Sequence, residues 1–202
     1  MKKILALLAL TSLAFTKPQA TVSYKVDTQK STVVWKGKKV TGEHFGNVSL
    51  SSGTLTAENG KLKGGTFETD LRTLTVTDLK EQEYNQKLVN HLKGDDFFAV
   101  DKHPKSTFVI TSVTPQSGNQ VQVKGKLTIK GITKEVSFPA TVKADKAQLT
   151  ATAKIPVDRT QYDIKFRSTN FFENLGDKAI HNDFELDINL VANATGSATA
   201  SR

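Results

Sequence analysis

Cysteine is absent from all 202 residues of this chain. That excludes disulfide frameworks, thiolate metal sites and a cysteine-linked lipid anchor. Histidine is scarce, and the four present (His44, His91, His103 and His181) never stand at the spacing by which a helix presents two metal ligands. There is no HExxH, no G-x-S-x-G, no Walker loop and no G-x-G-x-x-G. The adjacent carboxylates Asp95 and Asp96 follow a helix-stop signal, a place where such pairs serve a turn or cap. Beyond the first twenty residues no apolar run approaches the length of a membrane helix. The pattern is that of a chain without a catalytic constellation.

The N-terminus is different. Lys2 and Lys3 precede a short apolar stretch, Ile4 to Leu13, and small residues follow. This is the pattern of a secretory signal peptide, with cleavage expected between Ala14 and Ala20. The expected organisation is a leader over 1–20, one domain over 21–194 and a flexible polar tail over 195–202. The expected location is the periplasm. The formal charge is +8, and losing Lys2, Lys3 and Lys17 with the leader lowers it to +5. Lys124, Lys126, Lys130 and Lys143 alternate with apolar residues, as on a solvated strand face. A nucleic-acid partner is therefore not expected.

What the chain does contain is alternation. In Val121 to Ile129, Val121, Val123, Gly125, Leu127 and Ile129 share one face and Gln122, Lys124, Lys126 and Thr128 the other. Gly131 interrupts, and Val136, Phe138, Ala140 and Val142 resume the pattern, which reads as an antiparallel hairpin. Similar runs occur at Val22–Val26, Val33–Trp35, Leu62–Leu71, Phe108–Ile110, Leu149–Ile155 and Phe184–Leu190. One segment changes period. Tyr84, Leu88 and Leu92 form an apolar helical stripe, with Asp78 and Glu81 spaced as a capping box and Gly94 as the stop. These elements predict an all-β fold whose sheet curls into a barrel or a sandwich, with the helix plugging or covering an opening in the sheet.

An eight-stranded barrel either fills with side chains or holds one small ligand. Large residues here (Trp35, Phe67, Phe108, Ile110, Val123, Leu127, Phe138, Phe184 and Leu186) accompany small inward ones (Gly125, Ala140, Ala151 and Ala153). Other aromatics, Phe97, Phe98, Phe166, Phe171 and Phe172, fall in irregular segments near Leu92 and suggest a mouth. Arg159, between Asp158 and Asp163, reads either as a structural ion-pair residue or as a polar anchor for a ligand. All sixteen of these larger or charged residues, Leu92 and Arg159 included, are candidate ligand contacts.

The stretch LVNHLKGDDFFAVDKHPKSTFVIT (Leu88 to Thr111) resembles a signature of the YceI-like family of exported polyisoprenoid-binding proteins. VKGKLTIKGITKEVSFPATV (Val123 to Val142) is similar to a second signature of that family. YKVDTQKSTVVWKGKKVTGEHFG (Tyr24 to Gly46) and KIPVDRTQYDIKF (Lys154 to Phe166) fit it as well. The resemblance implies an extended, lipocalin-like antiparallel β-barrel of about eight strands, with the one helix covering an opening, that binds, transports or stores a long apolar lipid, such as a polyisoprenoid or an isoprenoid quinone. It implies no enzyme activity and no cofactor apart from that lipid as ligand, and it leaves a monomer or a homodimer open. The chain departs from ordinary lipocalins in lacking G-x-W, and from many family members in the run Trp35 to Lys39. Two rival readings remain. One is an accessory enzyme or redox protein acting on a bound quinone, with Arg159 or His44 at the mouth. The other is a stress-related envelope protein with a filled core and a protein partner.

Overall fold

The computed structural model describes residues 21–198. The expected leader lies outside the described residues. Ten strand segments follow the alternating runs: β1 (Thr21–Val26), β2 (Thr32–Lys39), β3 (Gly42–Asn47), β4 (Ser49–Glu58), β5 (Lys61–Asp70), β6 (Lys105–Pro115), β7 (Gln120–Ile129), β8 (Ile132–Ala144), β9 (Gln148–Asp158) and β10 (Ile180–Ala198). They form eight staves of one closed antiparallel barrel. β1 and β2 are two halves of one stave, and β3 and β4 are halves of the next, since β1 pairs with β4 and β2 with β3.

β10 closes the barrel along its whole length. Its first half pairs with β2 from Ile180 to Asn189, and its second half with β1 from Ala192 to Ala198. The break between β1 and β2 is a tight loop in which the Asp27 carboxylate accepts the N–H groups of Gln29 and Lys30. Ser31 and Asp27 both bond the Val191 backbone there, so the closing ladder is bridged across the break. β10 runs to Ala198, four residues into the segment expected as a tail, because β1 offers those residues a ladder partner.

Alternation decides which side chains go in. On β7, Val123, Leu127 and Ile129 are buried while Lys124 and Lys126 are exposed, as the period of two requires. Two apolar clusters result, one toward each end. The first is packed around Tyr24, Leu55, Ala57, Leu149 and Ala192 near the β4–β5 and β8–β9 turns. The second gathers Trp35, Leu74, Val76, Ile129, Val157, Tyr162 and Ile164 beneath the helix. Full burial of a Leu or Val contributes about 1.5–3 kcal/mol relative to exposure, so both ends are firmly held.

The helix, α1 (Gln82–Lys93), covers the second end and stops at Gly94 as expected. Its details differ from the sequence pattern. Tyr84 is 62% exposed, and the buried stripe is Val89 and Leu92 with Leu88 at its edge. The Asp78–Glu81 capping box does not form. The Asp78 carboxylate instead accepts the Phe45 N–H at 2.9 Å and sits 2.7 Å from His44 Nδ1. Asn85 fastens the helix by donating to the carbonyls of Val76 and Leu79, both at 2.9 Å. A residue that finds tertiary partners need not cap its own helix.

Candidate functional site

Between the two clusters the barrel is hollow. Centres of water-sized molecules can occupy about 160 Å³ of this cavity. Its walls carry no charged side chain, and the polar residues that border it are Thr69, Ser106, Thr107 and Thr152. Two of these hydroxyls are already used: Ser106 Oγ donates to the Thr128 carbonyl at 2.8 Å, and Thr69 Oγ1 to the Ser106 carbonyl at 3.2 Å. A cavity so lined favours an apolar occupant.

The burial pattern marks the level of the hollow. On β10, Phe184, Leu186 and Ile188 point inward yet are only half-buried, whereas Leu190 and Ala192 further along are buried. Their exposure is to the interior. Phe108 stands at the centre of an aromatic group, with ring centroids 6.3 Å from Phe67 and 5.6 Å from Phe138. Toward the helix, Phe98 meets Phe184 edge-on at 6.3 Å.

Trp35 lines the cavity at the helix-bearing side, and its Nε1–H donates to the Thr75 carbonyl at 2.9 Å. That bond exists because Gly46 is the residue opposite Trp35 on β3. The segment Leu74–Val76 crosses directly over Gly46, and any Cβ there would collide with the Thr75 carbonyl. Close backbone approach of this kind requires glycine.

Ten of the sixteen candidate contacts border the cavity: Trp35, Phe67, Phe98, Phe108, Ile110, Val123, Leu127, Phe138, Phe184 and Leu186. Six do not. Leu92 and Phe97 are buried in the second cluster under α1. Phe166 packs outside the cavity against Phe97 and His91, at 5.6 and 4.7 Å. Phe171 and Phe172 are 49% and 48% exposed on the outer loop and do not border the cavity. They follow Ser168, whose carbonyl accepts both their N–H groups and turns that loop away from the interior.

Arg159 is the sixth, and its role is structural. It is 4% exposed and donates to three main-chain carbonyls: Nε to His181 at 2.9 Å, one terminal nitrogen to Ile164 at 2.7 Å and the other to Ile180 at 3.1 Å. Burial lowers its pKa from the usual arginine value, partly opposed by the charge of Asp158. The guanidinium ties the turn Arg159–Tyr162 to the start of β10. His44 also lies away from the cavity, paired with Asp78. Burial works against the Asp78 carboxylate, but the Phe45 N–H and His44 outweigh it and hold its pKa below the usual range. Among the described residues no cluster of three or more His, Asp or Glu is placed to hold a metal ion, and no helix is long and apolar enough to cross a membrane.

The structure adds wall residues that the candidate set omitted. Val33, Ile129, Val136 and Ile188 could have been found by carrying the alternation through each strand. Leu71 ends the alternating run Leu62–Leu71 and could have been found the same way, whereas Leu74 could not, since it reaches the cavity from the irregular segment after β5.

A closed antiparallel barrel with a helix over one end and an apolar, uncharged interior defines the class. The chain belongs to the YceI-like family, whose YceI-like domain model matches residues 24–192. A UPF0312 protein of Pseudomonas putida strain W619 is 31% identical over 147 residues, covering 70% of this chain and 73% of that protein. A UPF0312 protein of Staphylococcus aureus strain MRSA252 is 36% identical over 95 residues, 47% of this chain and 48% of that protein. Among solved structures, BcnA of Burkholderia cenocepacia superposes with a TM-score of 0.64 at 24% identity, covering 82% of this chain and 98% of that one. A polyisoprenoid-binding domain from Saccharophagus degradans, implicated in plant cell wall breakdown, superposes with a TM-score of 0.60 at 11% identity, covering 86% and 99%. At these identities the superpositions establish a shared fold.

Proposed function

We propose that this protein binds a long-chain apolar lipid, a polyisoprenoid or isoprenoid quinone tail, inside the barrel and carries or stores it after export. The observation that carries this reading is the hollow itself: inward-facing Phe184, Leu186 and Ile188 are left half-exposed to a cavity without a charged wall residue. A folded chain ordinarily packs its interior to crystal-like density, so a retained apolar hollow points to an occupant. The polyisoprenoid-binding domain that shares the fold supports the same class of ligand.

The energetics require no directional chemistry. Each CH₂ taken from water contributes about 0.8 kcal/mol, so roughly ten such groups contribute about 8 kcal/mol before the entropic costs of binding. This is a binding protein in our reading, because the cavity holds no titratable pair that could act as acid and base. In our reading the lipid traffic is periplasmic, and the Met1–Ala20 pattern supports export.

The test is mass spectrometry of lipid extracted from protein purified without detergent, followed by uptake of a fluorescent geranylgeranyl analogue by the stripped protein. Recovery of a prenyl lipid and saturable uptake are expected. A protein that yields no lipid and takes up no analogue overturns the proposal.

A further inference from the structure

The barrel wall is split along one line. β8 and β9 pair only from Ala140–Ala153 to Ala144–Leu149. Beyond that, β8 still pairs with β7 back to Ile132, and β9 still pairs with β10 up to Asp158. The two strands therefore keep their outer neighbours and release each other. Prolines stand on both sides of this seam. The chain has five in all, and Pro139 and Pro156 lie on the two facing strands where their mutual pairing has stopped. Proline has no N–H to offer a ladder and belongs at sheet edges. Two of them here keep the seam from zipping shut.

The seam meets the cavity. Ala140, Thr152 and Ala153 border both the interior hollow and a groove on the outer surface. The other walls of that groove are Gln120, Pro139, Thr141, Lys154 and Asp187, a mostly polar set. Nearer the helix, buried Tyr162 and Ile164 pack in the second cluster with Val136 and Ile155 against it, and Lys130 Nζ donates to the Asp163 carbonyl at 3.2 Å. A second split, between β5 and β6 beyond Thr66 and Val109, lies where Leu55 covers Gly65 at the packed end.

We propose that the β8–β9 seam is the portal by which the ligand reaches the cavity, and that the ligand is an amphiphile whose polar end rests in the outer groove. This rests on the lipid-binding reading. The chain passes just beyond the Ala140–Ala153 rung, on the side where β8 and β9 no longer pair. The head is neutral or weakly charged, because Lys154 is already paired with Glu185 at 3.4 Å and Asp187 at 3.0 Å and has no free charge to offer an anion.

The absence of cysteine makes a direct test simple. Three single variants, Lys154→Cys at the seam, Phe172→Cys at the helix-bearing end and Ser117→Cys at the opposite end, are biotinylated through a maleimide and capped with streptavidin. Stopped-flow uptake and release of the fluorescent geranylgeranyl analogue are then measured with and without the cap. The cap at position 154 is expected to slow uptake and release together by about tenfold or more, as for a blocked path. The caps at 117 and 172 leave both rates unchanged. Unchanged rates with the cap at 154, or a slowdown produced equally by all caps or only by those at 117 or 172, overturn the portal. Failure of the uncapped protein to bind the analogue at all overturns the lipid-binding reading, and that result is seen before any cap is added.

Discussion

The ring of Phe108 fills the space above Gly125: a Cβ at that glycine would sit 2.5 Å from both Phe108 Cε2 and the Val109 carbonyl oxygen. Gly125 looks like a position that leaves room for ligand. It is instead the recess that lets Phe108 lie against the wall, within reach of Phe67 and Phe138. Gly125→Ala is therefore expected to lower stability by about 1–3 kcal/mol, the usual range for overpacking, and to push the ring into the cavity. Denaturant unfolding and uptake of the fluorescent analogue check both halves. Wild-type stability and uptake would show that the ring moves freely and that the recess is not needed.

Trp35 is the single tryptophan of the chain and borders the cavity. Its emission should shift or quench as an apolar ligand saturates the protein, giving a label-free titration. Trp35→Phe should abolish that signal and cost about 1–3 kcal/mol, because the half-buried Thr75 carbonyl loses its donor. A titration that saturates by another probe while Trp35 emission stays constant would place the ligand elsewhere.

Three phenylalanines separate packing from binding. Phe172→Ala should change stability by no more than about 0.5 kcal/mol and leave uptake unaltered, since the residue is exposed and off the cavity. Phe97→Ala should cost about 3–5 kcal/mol, as buried phenylalanines do, while the folded fraction binds normally. Phe108→Ala should change affinity. If Phe172→Ala weakens uptake as much as Phe108→Ala does, the ligand site extends onto the outer loop.

Tyr162 is buried, and its hydroxyl has no hydrogen-bond partner. Burial pushes its pKa up to about 12, with the Asp158 charge adding to the effect. The unfolded chain ionises this phenol near pH 10, the ordinary tyrosine value. Its contribution is thus fully present below pH 10 and is lost as pH rises toward 12. Tyr162→Phe should be as stable as the parent or more so at pH 7, because no hydrogen bond is lost with the orphan hydroxyl. It should also lose less stability between pH 10 and 12. A large destabilisation at pH 7 would mean that the hydroxyl has a partner, such as a buried water.

Legibility followed locality. The strands were readable because alternation is a property of neighbouring residues, and ten of the candidate contacts proved to border the cavity for that reason. The misplacements fell outside strands. Phe171 and Phe172 are as apolar as Phe108, but no periodicity says where an irregular loop turns its side chains. Arg159 between two aspartates read either as a structural ion-pair residue or as a polar anchor; its role is structural, but its partners are carbonyls of Ile164, Ile180 and His181, which only the folded loop brings near. Asp78 met the spacing rule for a cap and was taken by Phe45 and His44 across the barrel end.

The sequence by itself determined the antiparallel strands, the faces they bury and the single helix, because side-chain alternation and helical period are set by backbone geometry alone. The tertiary structure decided three further things. It set where the interior stays hollow, since that depends on how side chains from opposite staves meet, as Phe108 meets Gly125. It set which aromatics face the hollow, through hydrogen bonds between distant segments. It placed Pro139 and Pro156 on either side of one seam: each is visible in the chain as a residue unable to donate, but only the folded register shows that both fall where the β8–β9 ladder has stopped.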